Sequence, residues 1–177
     1  MAVNILCLEG EWENTLKSAL SVRPALDLLK GIERVDYTYR RIATTEEFYF
    51  HLQKAKSFSA LKIMYLAFHG TKEGLWFANG HTETLEQLSE KAKSVFEQRI
   101  VFFGACYLGK NQEMLSEFKN VTGAKLVVGY SNSIDFFESM ILDLALMRMF
   151  LHYKRGIKDR ILKEQKFLVQ KTGLIIV

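Results

Sequence analysis

Two residues in this chain combine a type and a placement suited to acyl transfer: His69 and Cys106. Each follows a short apolar run rich in β-formers, residues 61–68 leading into His69-Gly70 and residues 100–105 leading into Cys106. A thiol becomes a strong nucleophile when a base takes its proton, and a neighbouring imidazole is suited to that task. From 69 to 106 is 37 positions, room for one loop, one helix and one strand, so neighbouring strands would bring both side chains to one sheet edge. Gly70 lets the chain turn sharply after the histidine, and the N–H groups of Gly70 and Cys106 could then face a developing oxyanion. The plainer alternatives are a packing role for Cys106 and a hydrogen-bonded turn role for His69.

The elements that must hold these residues alternate between apolar runs and helical patterns. This predicts an α/β fold, a three-layer α/β/α sandwich around a mostly parallel sheet of about six strands. Strands are expected over 3–8, 35–42, 61–68, 100–105, 125–130 and 174–177. Helices are expected over 12–20, 23–29 (with Pro24 in its first turn), 45–56, 84–96, 111–119, 136–153 and 158–167. The pairs Thr44/Glu47 and Thr84/Gln87 are capping-box signals. Residues 70–80 read as a loop with a short hairpin around Leu75-Trp76-Phe77, whose aromatics either form a flap over the site or cover the core. In an open parallel sheet the loops leaving the carboxyl ends of the strands converge on one crevice, which is where His69 and Cys106 fall. With no repeat, low-complexity tract or linker, residues 1–177 read as one domain.

Composition removes several classes of function. Hydrophobic residues make up 49% of the 177 and charged residues 25%, which is ordinary for a globular chain. The 24 basic and 20 acidic side chains leave a net charge of +4. The densest basic stretch, Lys154-Arg155-Gly156-Ile157-Lys158 with Arg160 and Lys163, is interleaved with Asp159 and Glu164 and reads as a solvated face, so no nucleic-acid partner is expected. Cys7 and Cys106 lack CxxC or histidine-rich neighbours, which disfavours a disulfide framework or a metal site. Cys7 lies inside the first strand and reads as core. His81 reads as a surface turn residue, and His51 and His152 sit in helical patterns without a partner motif. No GxGxxG or GxxxxGK[ST] follows a strand, so no cofactor is expected. The N-terminus lacks the features of a signal peptide, and residues 140–151, interrupted by Asp143 and Arg148, are too short to span a bilayer. A cytoplasmic setting with no membrane partner is the resulting expectation.

Tyr65-Leu66-Ala67-Phe68-His69-Gly70 and Phe102-Phe103-Gly104-Ala105-Cys106-Tyr107-Leu108-Gly109 resemble the His-Gly and Ala-Cys-x-x-Gly signatures of caspase-like cysteine peptidases, in particular the bacterial CHAT branch related to separase. Val127-Val128-Gly129 through Asp135 resembles the stretch that leads, in CHAT proteins, to an acidic residue before a long apolar helix. Gly104 stands where the caspase form has glutamine, and two residues separate Cys106 from Gly109, both of which favour the CHAT branch. Asn132 and Ser133 replace the tryptophan and proline usual there. The resemblance covers roughly residues 60–150. It implies a caspase-like fold and a cysteine endopeptidase that cleaves after a basic residue. His69 would be the general base or acid, Cys106 the nucleophile, and Asp135 the acid of a pocket for Lys or Arg, with Glu138 as a second candidate. Asp135 equally suits a helix N-cap. The alternative is a catalytically inactive caspase-like module acting in protein–protein interaction or signalling. The apolar helix over 136–153, buried on more than one side, would be its docking surface or the contact of a homodimer.

Overall fold

Uninterrupted β-branched and aromatic runs become parallel strands here because each is followed by a helix that returns the chain across the sheet. The structure, a computed structural model, describes residues 3–13, 15 and 17–177. In chain order its elements are β1 (Val3–Glu9), α1 (Arg23–Glu33), β2 (Asp36–Arg41), α2 (Thr45–Ala55), β3 (Ile63–Ala67), β4 (His69–Gly70), β5 (Gly74–Trp76) and β6 (Thr82–Thr84), then α3 (Leu85–Phe96), β7 (Ile100–Gly104), a 3-10 turn (Leu108–Lys110), α4 (Gln112–Thr122), β8 (Leu126–Tyr130), α5 (Phe136–His152), α6 (Ile157–Glu164), α7 (Lys166–Thr172) and β9 (Leu174–Ile176). The main sheet has the order β2-β1-β3-β7-β8-β9 and is parallel except for β9, which runs antiparallel to β8.

Side chains alternate across the strands and feed two cores. Leu8, Leu66 and Phe103 pack under α2, α3 and α4. Cys7, Tyr65, Phe102 and Tyr130 pack under α1, α5, α6 and α7. The fold is therefore α/β, with helices on both faces of a six-stranded sheet. α5 carries Leu142, Leu146, Met147 and Phe150 into the second core and leaves Phe137 and Ile141 in solvent. Among the described residues, no helix is long and apolar enough to cross a membrane.

Three local expectations are corrected. The described residues between positions 12 and 20 form bends and a turn instead of a helix. Trp12 instead turns its indole N–H to Glu9 at the end of β1. The loop over 70–80 becomes a three-stranded antiparallel sheet, β4-β5-β6, with Phe77 buried against Phe48 and Phe68 at ring distances of 5.4 and 5.1 Å. Phe77 is thus core. The helix expected over 158–167 is two helices, parted at Gln165, whose backbone (φ −114°, ψ 22°) leaves the helical region.

Thr84 links the small sheet to α3 through a complete capping box: its hydroxyl accepts from Gln87 N–H at 3.2 Å, and Gln87 Oε1 accepts from Thr84 N–H at 3.0 Å. Thr84→Ala should lower the unfolding free energy by about 1 kcal/mol, read as a lower urea midpoint at constant slope. An unchanged midpoint would show that the box carries no stability.

Candidate active site

Strand register decides which side chains meet. In the β3–β7 ladder Ala67 is opposite Gly104. His69 and Cys106 each lie two residues beyond those partners, at the carboxyl ends of adjacent strands. The two chains stay close past the ladder, since Phe68 N–H donates to Gly104 O at 3.2 Å. A Cβ on Gly70 would fall 2.1 Å from Cys106 O and 2.9 Å from Cys106 N, so only glycine permits this approach. His69 and Cys106 both line a cavity of about 270 Å³.

The histidine is oriented from β1. Glu9, fully buried at the end of that strand, accepts four hydrogen bonds: from Trp12 Nε1 at 2.5 Å, Ser21 Oγ at 2.7 Å, Val22 N–H at 2.7 Å and Tyr39 OH at 2.6 Å. Arg41 adds a cation at 3.7 Å. A buried carboxylate needs such partners, and these come from Trp12, from Ser21 and Val22 just before α1, and from Tyr39 and Arg41 on β2. Trp12 is thereby held edge-on to the His69 ring at 5.3 Å, and its carbonyl oxygen lies 2.9 Å from His69 Nε2. A carbonyl only accepts, so Nε2 is the nitrogen that carries hydrogen. In the neutral ring Nδ1 is then left bare as the base. Trp76 packs on the same ring at 5.7 Å. On the far side of the Trp12–His69 wall a wider groove of about 880 Å³ opens past Glu11, Glu13 and Trp76.

Cys106 is a half-buried free thiol in a sharp turn. Tyr107 takes the left-handed conformation (φ 65°), a strain of about 1 kcal/mol for a non-glycine residue, and is held by its N–H to Asn132 O at 3.3 Å. Cys106 O accepts from Leu108 N–H at 2.9 Å, whereas Cys106 N–H meets no backbone acceptor among the described residues. Thr71 N–H donates to Gly74 O at 2.9 Å, and the alternation of an antiparallel ladder therefore turns the Gly70 N–H away from β5.

Of the two acidic residues read for the site, neither lines the smaller cavity. Asp135 caps α5, its Oδ1 accepting from Phe137 and Glu138 N–H, each at 3.0 Å, and it is not among the residues lining the cavity. Glu138 pairs with Lys171 at 2.5 Å. The carboxyl group that does line the cavity is Asp143, on the next turn of α5. Tyr65 OH donates to its Oδ2 at 2.5 Å and Tyr130 OH to its Oδ1. Burial pushes the Asp143 pKa up to about 7 against the opposing effect of the two hydroxyl donors. Burial, followed by the Asp143 charge, raises both tyrosines and keeps them as donors. His81 binds Glu83 at 3.0 Å and lines neither of these two cavities.

The model of a family of unknown function, DUF6642, matches residues 2–172. The chain belongs to this family. No curated protein matches it. In this DUF6642 chain the three residues that sequence reasoning passed over are Glu9, Trp12 and Asp143. Glu9 had a signal in being the first charge after an apolar strand, and Asp143 in being the one acid in the apolar stretch 140–151.

Because the folded-state pKa of Asp143 lies above its ordinary value of 3.8, its contribution to stability is complete below that value and is lost as pH rises toward about 7. Asp143→Asn cannot ionise and keeps the shape. Between pH 4 and pH 8 the variant should gain up to about 4 kcal/mol relative to the parent protein, measured by urea unfolding. Parallel pH profiles would contradict the buried-acid assignment.

Proposed function

We propose that the chain is a cysteine-type endopeptidase of the caspase-like, CHAT-related kind, cleaving after Lys or Arg, with His69 and Cys106 as its dyad. The observation that carries this reading is the arrival of both side chains at adjacent strand ends in one cavity floored by a carboxyl group. The His-Gly and Ala-Cys-x-x-Gly segments that resemble those peptidases support it further.

The chemistry follows from the positions. His69 Nδ1 takes the Cys106 thiol proton as sulfur attacks the scissile carbonyl carbon, and the oxygen becomes an anion within reach of the Cys106 and Gly70 N–H groups. As the carbon–nitrogen bond breaks, His69 returns the proton to the leaving amine. That amine departs on the histidine's side, toward the wider groove. Water, deprotonated by His69, then hydrolyses the thioester and restores the thiol.

Phe68, Ile134 and Phe136 give the smaller cavity apolar walls that suit the stem of a long basic side chain. Asp143 replaces Asp135 as the acid at its floor. Each of its oxygens has one lone pair engaged by a tyrosine and one left for a cation. An arriving Lys or Arg would favour the ionised acid, so kcat/KM for basic substrates should rise with pH through about 7. Such a thiol enzyme fits a reducing compartment, the cytoplasm.

The exposed Phe137 and Ile141 on α5, at 67% and 47%, favour a second reading, a non-catalytic module that docks a partner or a second copy through that helix. Peptidyl acyloxymethyl ketones separate the two. The arginyl reagent should label Cys106 at least tenfold faster than its glutamyl analogue, and His69→Ala should slow labelling by about 10²-fold or more. Equal labelling by both reagents that is unchanged in His69→Ala would overturn the peptidase reading and leave the module.

A further inference from the structure

The basic segment at the end of the chain takes no part in the site above. Residues 154–172 hold seven Lys or Arg and two acids, leaving 17 of the 24 basic and 18 of the 20 acidic residues to the rest of the chain. The whole net positive charge is therefore concentrated in this segment. α6 buries Ile157 and Ile161 and α7 buries Val169 and Thr172, which turns the cations outward. Two of them are engaged. Arg160 lies 3.8 Å from Glu164 and 4.4 Å from the centre of the Tyr153 ring, and Lys171 holds Glu138. Lys154, Arg155, Lys158, Lys163 and Lys166 are exposed and make no ion pair among the described residues.

Two large apolar side chains protrude from the same helices, Leu162 at 42% exposure and Phe167 at 73%. Lysines alone would give a solvated surface, and a lone exposed phenyl group would be unremarkable. Together they form a two-part surface, with fixed positive charge and short apolar projections on elements anchored by their other face. An anionic bilayer has the matching two layers, negative headgroups above an acyl boundary. A nucleic acid would answer the charge, yet it offers no acyl layer for the protruding Leu162 and Phe167.

We propose that α6, α7 and the bend that leads into them form a peripheral docking face for an anionic phospholipid membrane, with Phe167 and Leu162 reaching the acyl boundary and the five exposed cations, Lys154 and Arg155 of the bend with Lys158, Lys163 and Lys166 of the helices, lying among the headgroups. The face is independent of the His69–Cys106 chemistry. It revises the expectation of no membrane partner, which rested on the lack of a spanning segment.

The test is co-sedimentation of the full chain with vesicles of phosphatidylglycerol mixed with phosphatidylcholine, beside pure phosphatidylcholine, at about 0.05 M and about 0.5 M salt. The chain should bind the mixed vesicles alone and release them at high salt. Lys163→Glu with Lys166→Glu should weaken binding more than about tenfold, and Phe167→Ser should weaken it several-fold. Both variants alter exposed positions and should melt as the parent does; if either fails to fold, the salt titration of the parent protein decides. Binding to neutral vesicles, no binding, or binding insensitive to salt and to both variants would overturn the proposal. So would salt-sensitive binding to a mixed-sequence oligonucleotide in the absence of vesicle binding.

Discussion

The arrangement around the site depends on a buried anion, the Glu9 carboxylate at the end of β1. Each of its charge-assisted hydrogen bonds is worth roughly 1.5–3 kcal/mol, more than a turn of helix over residues 12–20 could recover. The local helical pattern therefore gives way. Trp12 is instead tied to Glu9 through its indole N–H, and the start of α1 is tied to the same carboxylate through Val22 N–H. Tyr39 from β2 closes the far side. Trp12 then acts on the histidine twice, with its ring as a wall and its carbonyl as a fixed acceptor for Nε2. One carboxylate on the first strand thus sets which nitrogen of His69 is basic, although Glu9 itself lines neither of the cavities beside that histidine.

The cysteine side is built by close approach. Gly70 meets the Cys106 backbone, Gly104 meets the Tyr65 ring at 2.7 Å, and Gly109 meets the Tyr130 backbone at 2.9 Å, distances given for the Cβ that each glycine lacks. The tyrosines brought in this way are the two that hold Asp143. The floor of the cavity and the turn that presents Cys106 are therefore parts of one packed unit. A larger residue at any of these glycines would displace both together. Beneath them Cys7 stays a buried thiol, its pKa raised by burial and then by the Glu9 and Asp143 charges, which suits the core role read for it.

The sequence was most legible where local and tertiary preferences coincide. Residues 63–67 and 100–104 are covered on both faces, so their apolar runs mark the strands directly. Their ends then locate His69 and Cys106. Legibility failed where a distant partner outweighed the local pattern. Nothing in residues 12–20 announces that Glu9 will claim the Trp12 indole N–H, and Gln165 gives no warning of the break between α6 and α7. At Asp135 the local N-cap reading was sufficient to place the residue, and the carboxyl group that lines the cavity together with Cys106 is Asp143, brought there by how α5 lies on the sheet. Periodicity showed that helix to be buried on more than one side but not which side faces the cavity.

The tautomer of His69 tests this picture most directly. Nitrogen-15 NMR of histidine-labelled protein, at a pH where the ring is neutral, distinguishes a protonated from a bare ring nitrogen. The arrangement of Glu9, Trp12 and His69 predicts a single tautomer with hydrogen on Nε2 and a bare Nδ1, and averaging of the two signals once Glu9→Gln loosens Trp12. A proton on Nδ1, or averaged signals in the unsubstituted protein, would contradict it.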